Sequence, residues 1–163
     1  MDSTYFHLFL NHVPFTGVFL TFVILLYAIY KKNNELVRFL LWIIVFLALV
    51  AIPVFTTGDP AAEKIKQLPG ISEEIIENHE DAGWITLILI EITGAFALAG
   101  LFIFKKTEAF AAWFRYILFI FIILTFATYV RTANLGGKIK HGEIITNNKV
   151  VHLFTTENNI QLL

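Results

Sequence analysis

Four long apolar stretches dominate this chain, and they constrain its fold more than any other feature. They run about Val13–Tyr30, Val37–Phe55, Ala82–Phe104 and Ala109–Val130. Each is close to the ~20 residues that cross a hydrocarbon core. Charged segments separate them: Lys31-Lys32-Asn33-Asn34-Glu35, the acidic stretch from Asp59 to Asp81, and Lys105-Lys106-Thr107-Glu108. In lipid the main-chain amides of a single span must pair within it, so the spans are helices. They are Phe-rich and apolar all round, whereas a soluble bundle keeps a polar face. The expected fold is all-α: an integral membrane four-helix antiparallel bundle over residues 1–145, with a short extracytoplasmic tail over 146–163.

Composition supports this. Of 163 residues, 57% are hydrophobic and 15% charged, against roughly half and a quarter in soluble domains. The net charge of −1 gives no basic excess, so no nucleic-acid partner is expected. Cysteine is absent. That excludes disulfides, thiolate metal sites and Cys-x-x-Cys-His attachment of haem. Met1-Asp2-Ser3-Thr4 carries no cation, so a cleavable signal peptide is not expected.

Orientation follows from Lys and Arg at the helix ends. The first span has none before it, and Lys31, Lys32 and Arg38 after it; Lys105, Lys106 and Arg115 flank the third short connection. Both termini are therefore expected outside the cytoplasm. Arg131, Lys138, Lys140 and Lys149 count the other way, but the first helix and short loops carry more weight.

All five histidines then fall on one side: His7 and His12 before the first span, His79 before the third, His141 and His152 after the fourth. The intramembrane polar residues lean the same way, with Thr86, Glu91 and Thr93 in the third span and Thr125, Thr128 and Tyr129 in the fourth. Polar groups in lipid are costly and are kept facing a site or one another. Interfaces also attract Thr, Tyr and His without any site. On the third helix, His79, Gly83, Thr86, Ile90, Thr93, Ala97 and Gly100 share a mostly small stripe. Such a stripe suits close helix packing or a slot for a flat cofactor. Glu91 lies off the stripe and calls for a partner such as Thr125 or Tyr129, or for protonation.

Imidazoles from separate segments suit three states. One is b-type haem, axially held by two histidines, with Arg131, Lys138 or Lys140 meeting the propionates. Another is a copper, zinc or iron ion held by three or four of His7, His12, His79 and His141, or by histidine with Asp59 or Glu80. The third is a set of hydrogen-bonded histidines with no ligand. Pro14 suits an early helix position. Gly136-Gly137 should end the fourth helix, and the stretch from Gly142 to Leu163 alternates loosely, as in a small hairpin around Asn147-Asn148.

His7-x4-His12 before the first span, Thr57-Gly58-Asp59 after the second, His79 before the third and Ala133-Asn134-Leu135-Gly136-Gly137-Lys138-Ile139-Lys140-His141 after the fourth make an ordered set. In that order the chain resembles a family of four-helix bacterial membrane proteins of unknown function. The likeness runs to about Ile145. Family members often read His-Pro and His-Phe-Pro where this chain has His7-Leu8 and His12-Val13-Pro14. The resemblance implies a bacterial inner membrane, redox work beside c-type cytochrome or respiratory complex subunits, and haem ahead of a bare ion. His152 lies outside the pattern.

The function expected from sequence is thus a b-type cytochrome-like protein holding haem b at the extracytoplasmic end. His12 and His79 are the first axial pair, since both begin membrane helices. His7 and His141 are the second candidates, with Arg131 beside them. A metal-ion-binding accessory protein and a non-catalytic structural subunit of a larger membrane complex are the alternatives.

Overall fold

In the computed structural model the backbone is described for residues 3–67, 72–107 and 109–160, and side chains for 7, 9–67, 72–107 and 109–139. The elements are α1 (Ser3–Tyr30), α2 (Asn34–Thr56), α3 (Gly58–Lys66), α4 (Glu73–Ile103) and α5 (Ala112–Ile160). Four helices are long and apolar enough to span a membrane, over Phe9–Tyr30, Asn34–Lys66 (α2 continued by α3), Glu73–Ile103 and Ala112–Ile139. The all-α four-helix membrane bundle expected from sequence is the fold observed.

The long helices pack in the cyclic order α1, α2, α4, α5, with α5 closing on α1. Every neighbour is antiparallel, and α1 and α4 stand at opposite corners. One end of the bundle carries His7 and His79 and is called the histidine end. The other carries Lys31, Lys32, Arg38, Lys105, Lys106 and Arg115, and is called the lysine end.

The sequence builds the lysine end tightly. α1 stops at Lys31-Lys32-Asn33, where Lys32 takes φ 51°. The Asn33 side chain caps α2 by accepting from the Leu36 amide at 2.9 Å. Arg38 donates to the carbonyls of Phe104 and Thr107 at 3.2 and 3.0 Å, satisfying acceptors freed at the end of α4. Asn34 Oδ1 accepts from the Phe110 amide and from Arg115. The two turns are thereby stitched together.

The interior beside this end is hydrocarbon and ring: Leu25, Leu40, Leu41, Ile44, Phe114 and Ile122 are all buried. Phe114 stacks on Phe96 with centroids 4.8 Å apart, and Phe22 stacks between Phe119 and Phe126. Val18, Leu47, Ala48, Ala51, Ile90 and Tyr129 form a second cluster. The outside is as apolar as the inside, with Leu49, Phe46 and Trp42 more than half exposed. That is the surface lipid requires.

The small stripe on α4 turns inward, with Thr86, Ile90, Thr93, Gly94, Ala97 and Gly100 buried. Neighbours fill it. A Cβ at Gly94 would sit 2.6 Å from the Ala48 Cβ, and one at Gly100 would collide with the Phe114 ring. Along Gly94–Gly100 the stripe therefore serves helix packing, and the flat slot is not formed there.

Three expectations change. Pro14 lies inside α1, which begins at Ser3; a membrane helix tolerates the lost amide because neighbouring helices and side chains re-satisfy the freed carbonyl. Gly136-Gly137 does not end the fourth helix, since α5 runs on to Ile160. Gly136 instead gives a ring on α4 room to approach. The hairpin expected over 142–163 is helical through Ile160. A lone two-stranded hairpin is at best marginally stable, whereas a continuing helix pairs its own amides. Residues 161–163 lie outside the described set.

Candidate functional site: a paired-histidine end

His7 lies in the second turn of α1, level with the end of α2. The end of α2 leaves carbonyls without helical donors there. Thr57 bonds back to Pro53 O at 2.8 Å and Val54 O at 2.9 Å. His7 Nδ1 donates to the same Val54 carbonyl at 2.9 Å and lies 3.3 Å from Thr57 Oγ1. At the opposite corner, His79 Nδ1 donates across to the Thr132 carbonyl of α5 at 3.0 Å.

A carbonyl only accepts, so Nδ1 must carry the proton in both rings. In the neutral imidazole this leaves the Nε2 lone pair free. The two rings share one more feature. A Cβ at Gly58 would lie 3.4 Å from His7 Cε1, and a Cβ at Gly136 would lie 3.2 Å from His79 Cε1. Each histidine is thus held by a main-chain carbonyl and flanked by a glycine. Burial pushes His7 below the ordinary imidazole value of 6.5; the Val54 carbonyl opposes this, and the charge of His79 adds to it.

The other candidates scatter. His12 is exposed on α1, because five residues at ~100° each turn it well away from His7. Arg131 and Lys138 are exposed on α5 at the same end. Asp59 is exposed, and Glu80 forms an ion pair with Lys66 at 3.7 Å. His141 and His152 fall on the helical backbone of α5, but their side chains lie outside the described residues. Among the described residues no three of His, Asp and Glu come together as a metal-holding group.

Below His79 a threonine seam joins α4 to α5. Thr86 and Thr132 share a hydrogen bond at 3.0 Å, as do Thr93 and Thr125. Each hydroxyl has one proton, so Thr125 donates to Thr93, which donates to the Leu89 carbonyl one turn back. Of Thr86 and Thr132, one donates to the other while that one donates to its own carbonyl, Ala82 or Thr128. Bonds of this kind across membrane helices contribute about 0.6–2 kcal/mol each. They account for the polar lean of these spans without a ligand.

Glu91 stands apart from the seam. Thr125, one expected partner, is engaged by Thr93. Glu91 Oε1 is buried without a hydrogen bond. An unpaired carboxylate in hydrocarbon is far more costly than a neutral acid. Glu91→Gln keeps the shape and removes the ionisable group, so thermal stability in detergent should change by less than about 1 kcal/mol. Failure of the Gln variant to fold would mean that the charge itself is required.

Sequence reasoning named His7 and His79 but did not foresee their anchors, the carbonyls of Val54 and Thr132. The glycine signal was there: Gly58 and Gly136 both belong to the short motifs read from the sequence. Compared with known proteins, the chain matches no family model, no curated protein and no solved structure. Function is therefore read from the geometry of the histidine end.

Proposed function

We propose that the protein is a membrane-embedded b-type cytochrome-like electron carrier, with His7 and His79 as the residues that would hold haem at the histidine end. One observation carries this reading. Two imidazoles from opposite corners each give Nδ1–H to a main-chain carbonyl. Ligating histidines are oriented in this way, since the bond fixes the tautomer and raises the basicity of Nε2. The donor set fits haem better than a bare ion. Haem takes two protein ligands or fewer, whereas zinc sites use three or four. Among the described residues no such trio exists.

His7 replaces His12 as the first partner of His79 in this reading, because His12 is exposed while His7 is half-buried and anchored. The carbonyls hold the ring planes, and the glycines leave room beside Cε1. Arg131 and Lys138 stand at the same end as cations for propionates. Haem, when bound, supplies one-electron transfer; the chain supplies ligation, burial and orientation. A c-type cytochrome or a respiratory subunit is the proposed redox partner. The test is an absorption spectrum of purified protein, oxidised and reduced. A low-spin haem spectrum is expected, and a colourless protein from haem-replete cells overturns the reading.

The site is assigned to the extracytoplasmic face of a bacterial inner membrane, because the first helix has cations only after it. A reporter fused after Leu163 should be active only outside the cytoplasm. Activity inside reverses the orientation and moves the histidine end to the cytoplasmic face.

A further inference from the structure

At the lysine end a groove of about 280 Å³ opens between α2 and α4, lined by Arg38, Trp42, Leu98, Leu101, Phe102 and Lys105. Its polarity is graded. Lys105 follows the end of α4 and Arg38 lies in the first turns of α2, so both cations sit at the level of the helix ends. Trp42 and Phe102 form walls that are 58% and 70% exposed, and Leu101 is a buried floor. The groove thus runs from a cationic rim to an apolar channel facing the bilayer.

The Arg38 guanidinium is set in place by Phe104 O and Thr107 O, both of which take Nη2. Arginine has five N–H donors, so Nε and Nη1 keep donors for an incoming anion. The six lining residues include no Asp or Glu to neutralise the two cations. Tryptophan is favoured at headgroup depth, and basic pockets between membrane helices suit anionic lipid headgroups.

We propose that this groove is a binding site for an anionic phospholipid, with its phosphodiester between Arg38 and Lys105 and an acyl chain along Trp42, Leu98 and Phe102. A soluble phosphate would gain the cations but leave the apolar walls bare. A zwitterionic lipid would fill the walls but bring its own ammonium to a cationic rim. The site is at the opposite end from the histidines and stands whether or not they hold haem.

The experiment is native mass spectrometry of the full chain in non-ionic detergent, with phosphatidylglycerol or phosphatidylcholine of matched acyl chains. Phosphatidylglycerol should be retained preferentially. Lys105 is exposed, so Lys105→Gln should fold normally and lose about fivefold in that preference, the effect of one cation near the headgroups; Lys105→Glu should lose more. Excess glycerol 3-phosphate should not displace the lipid. Equal retention of the two lipids, unchanged preference in Lys105→Gln, or displacement by glycerol 3-phosphate each overturns the proposal.

Discussion

Purified His79→Ala protein should carry no low-spin haem. The variant removes the imidazole that Thr132 orients across the α4–α5 boundary, and alanine offers no ligand in its place. With only His7 left to hold haem, the pigment should be lost or its low-spin signature should disappear. His7→Ala should do the same, because Val54 fixes the complementary ring. His12→Ala is the informative contrast. His12 is exposed, and its loss should leave the spectrum unchanged. Absorbance per protein, read in both oxidation states, measures all three, and circular dichroism confirms that the helices persist. A spectrum that survives His7→Ala but vanishes in His12→Ala would return the pairing to His12 and His79. A spectrum that survives all three moves the ligands elsewhere.

The bundle was legible in the sequence because lipid imposes a simple rule on it: long apolar runs must be helices, and charged connections must lie between them. Helix ends were less legible. Pro14 read as a helix start and Gly136-Gly137 as a helix end by their local preferences, yet both fall inside helices. In each case tertiary packing decides: Pro14 is buried, and Gly136 lies against His79. The candidate site was half legible. Residue type and topology gathered the histidines at one end, but helix phase chose among them. His7 and His12 are too far apart in phase for both to face inward, and no pattern in the sequence says which carbonyl an inward ring will meet. Val54 O is available to His7 because α2 ends just beyond Pro53. That is a consequence of where a helix stops, the feature sequence reads least well.

The largest expected effect on assembly comes from Gly94. A methyl there would sit 2.6 Å from the Ala48 Cβ, well inside the ~3.5–4.0 Å at which carbons rest against each other. Both carbons are bonded directly to main chain, so neither can swing aside as the Leu47 side chain beside Gly17 can. Gly94→Ala must push α2 and α4 apart by about an ångström, with the loss of packing on either side of the crossing. Membrane helices have no hydrophobic driving force between them and depend on that packing. Overfilling a packed interior destabilises by about 1–3 kcal/mol, and Gly94→Val should exceed the alanine variant. Gly100 reports on a different contact of α4, since its methyl would meet Phe114 of α5, itself buried and stacked on Phe96. The decisive measurement is compensation. Ala48→Gly removes the opposing methyl and should restore most of the thermal stability that Gly94→Ala loses in detergent, while giving no rescue to Gly100→Ala. If Gly94→Ala melts with the wild type, α2 and α4 do not approach this closely. If Ala48→Gly rescues both glycine variants equally, the effect is general loosening of the bundle rather than contact at this crossing.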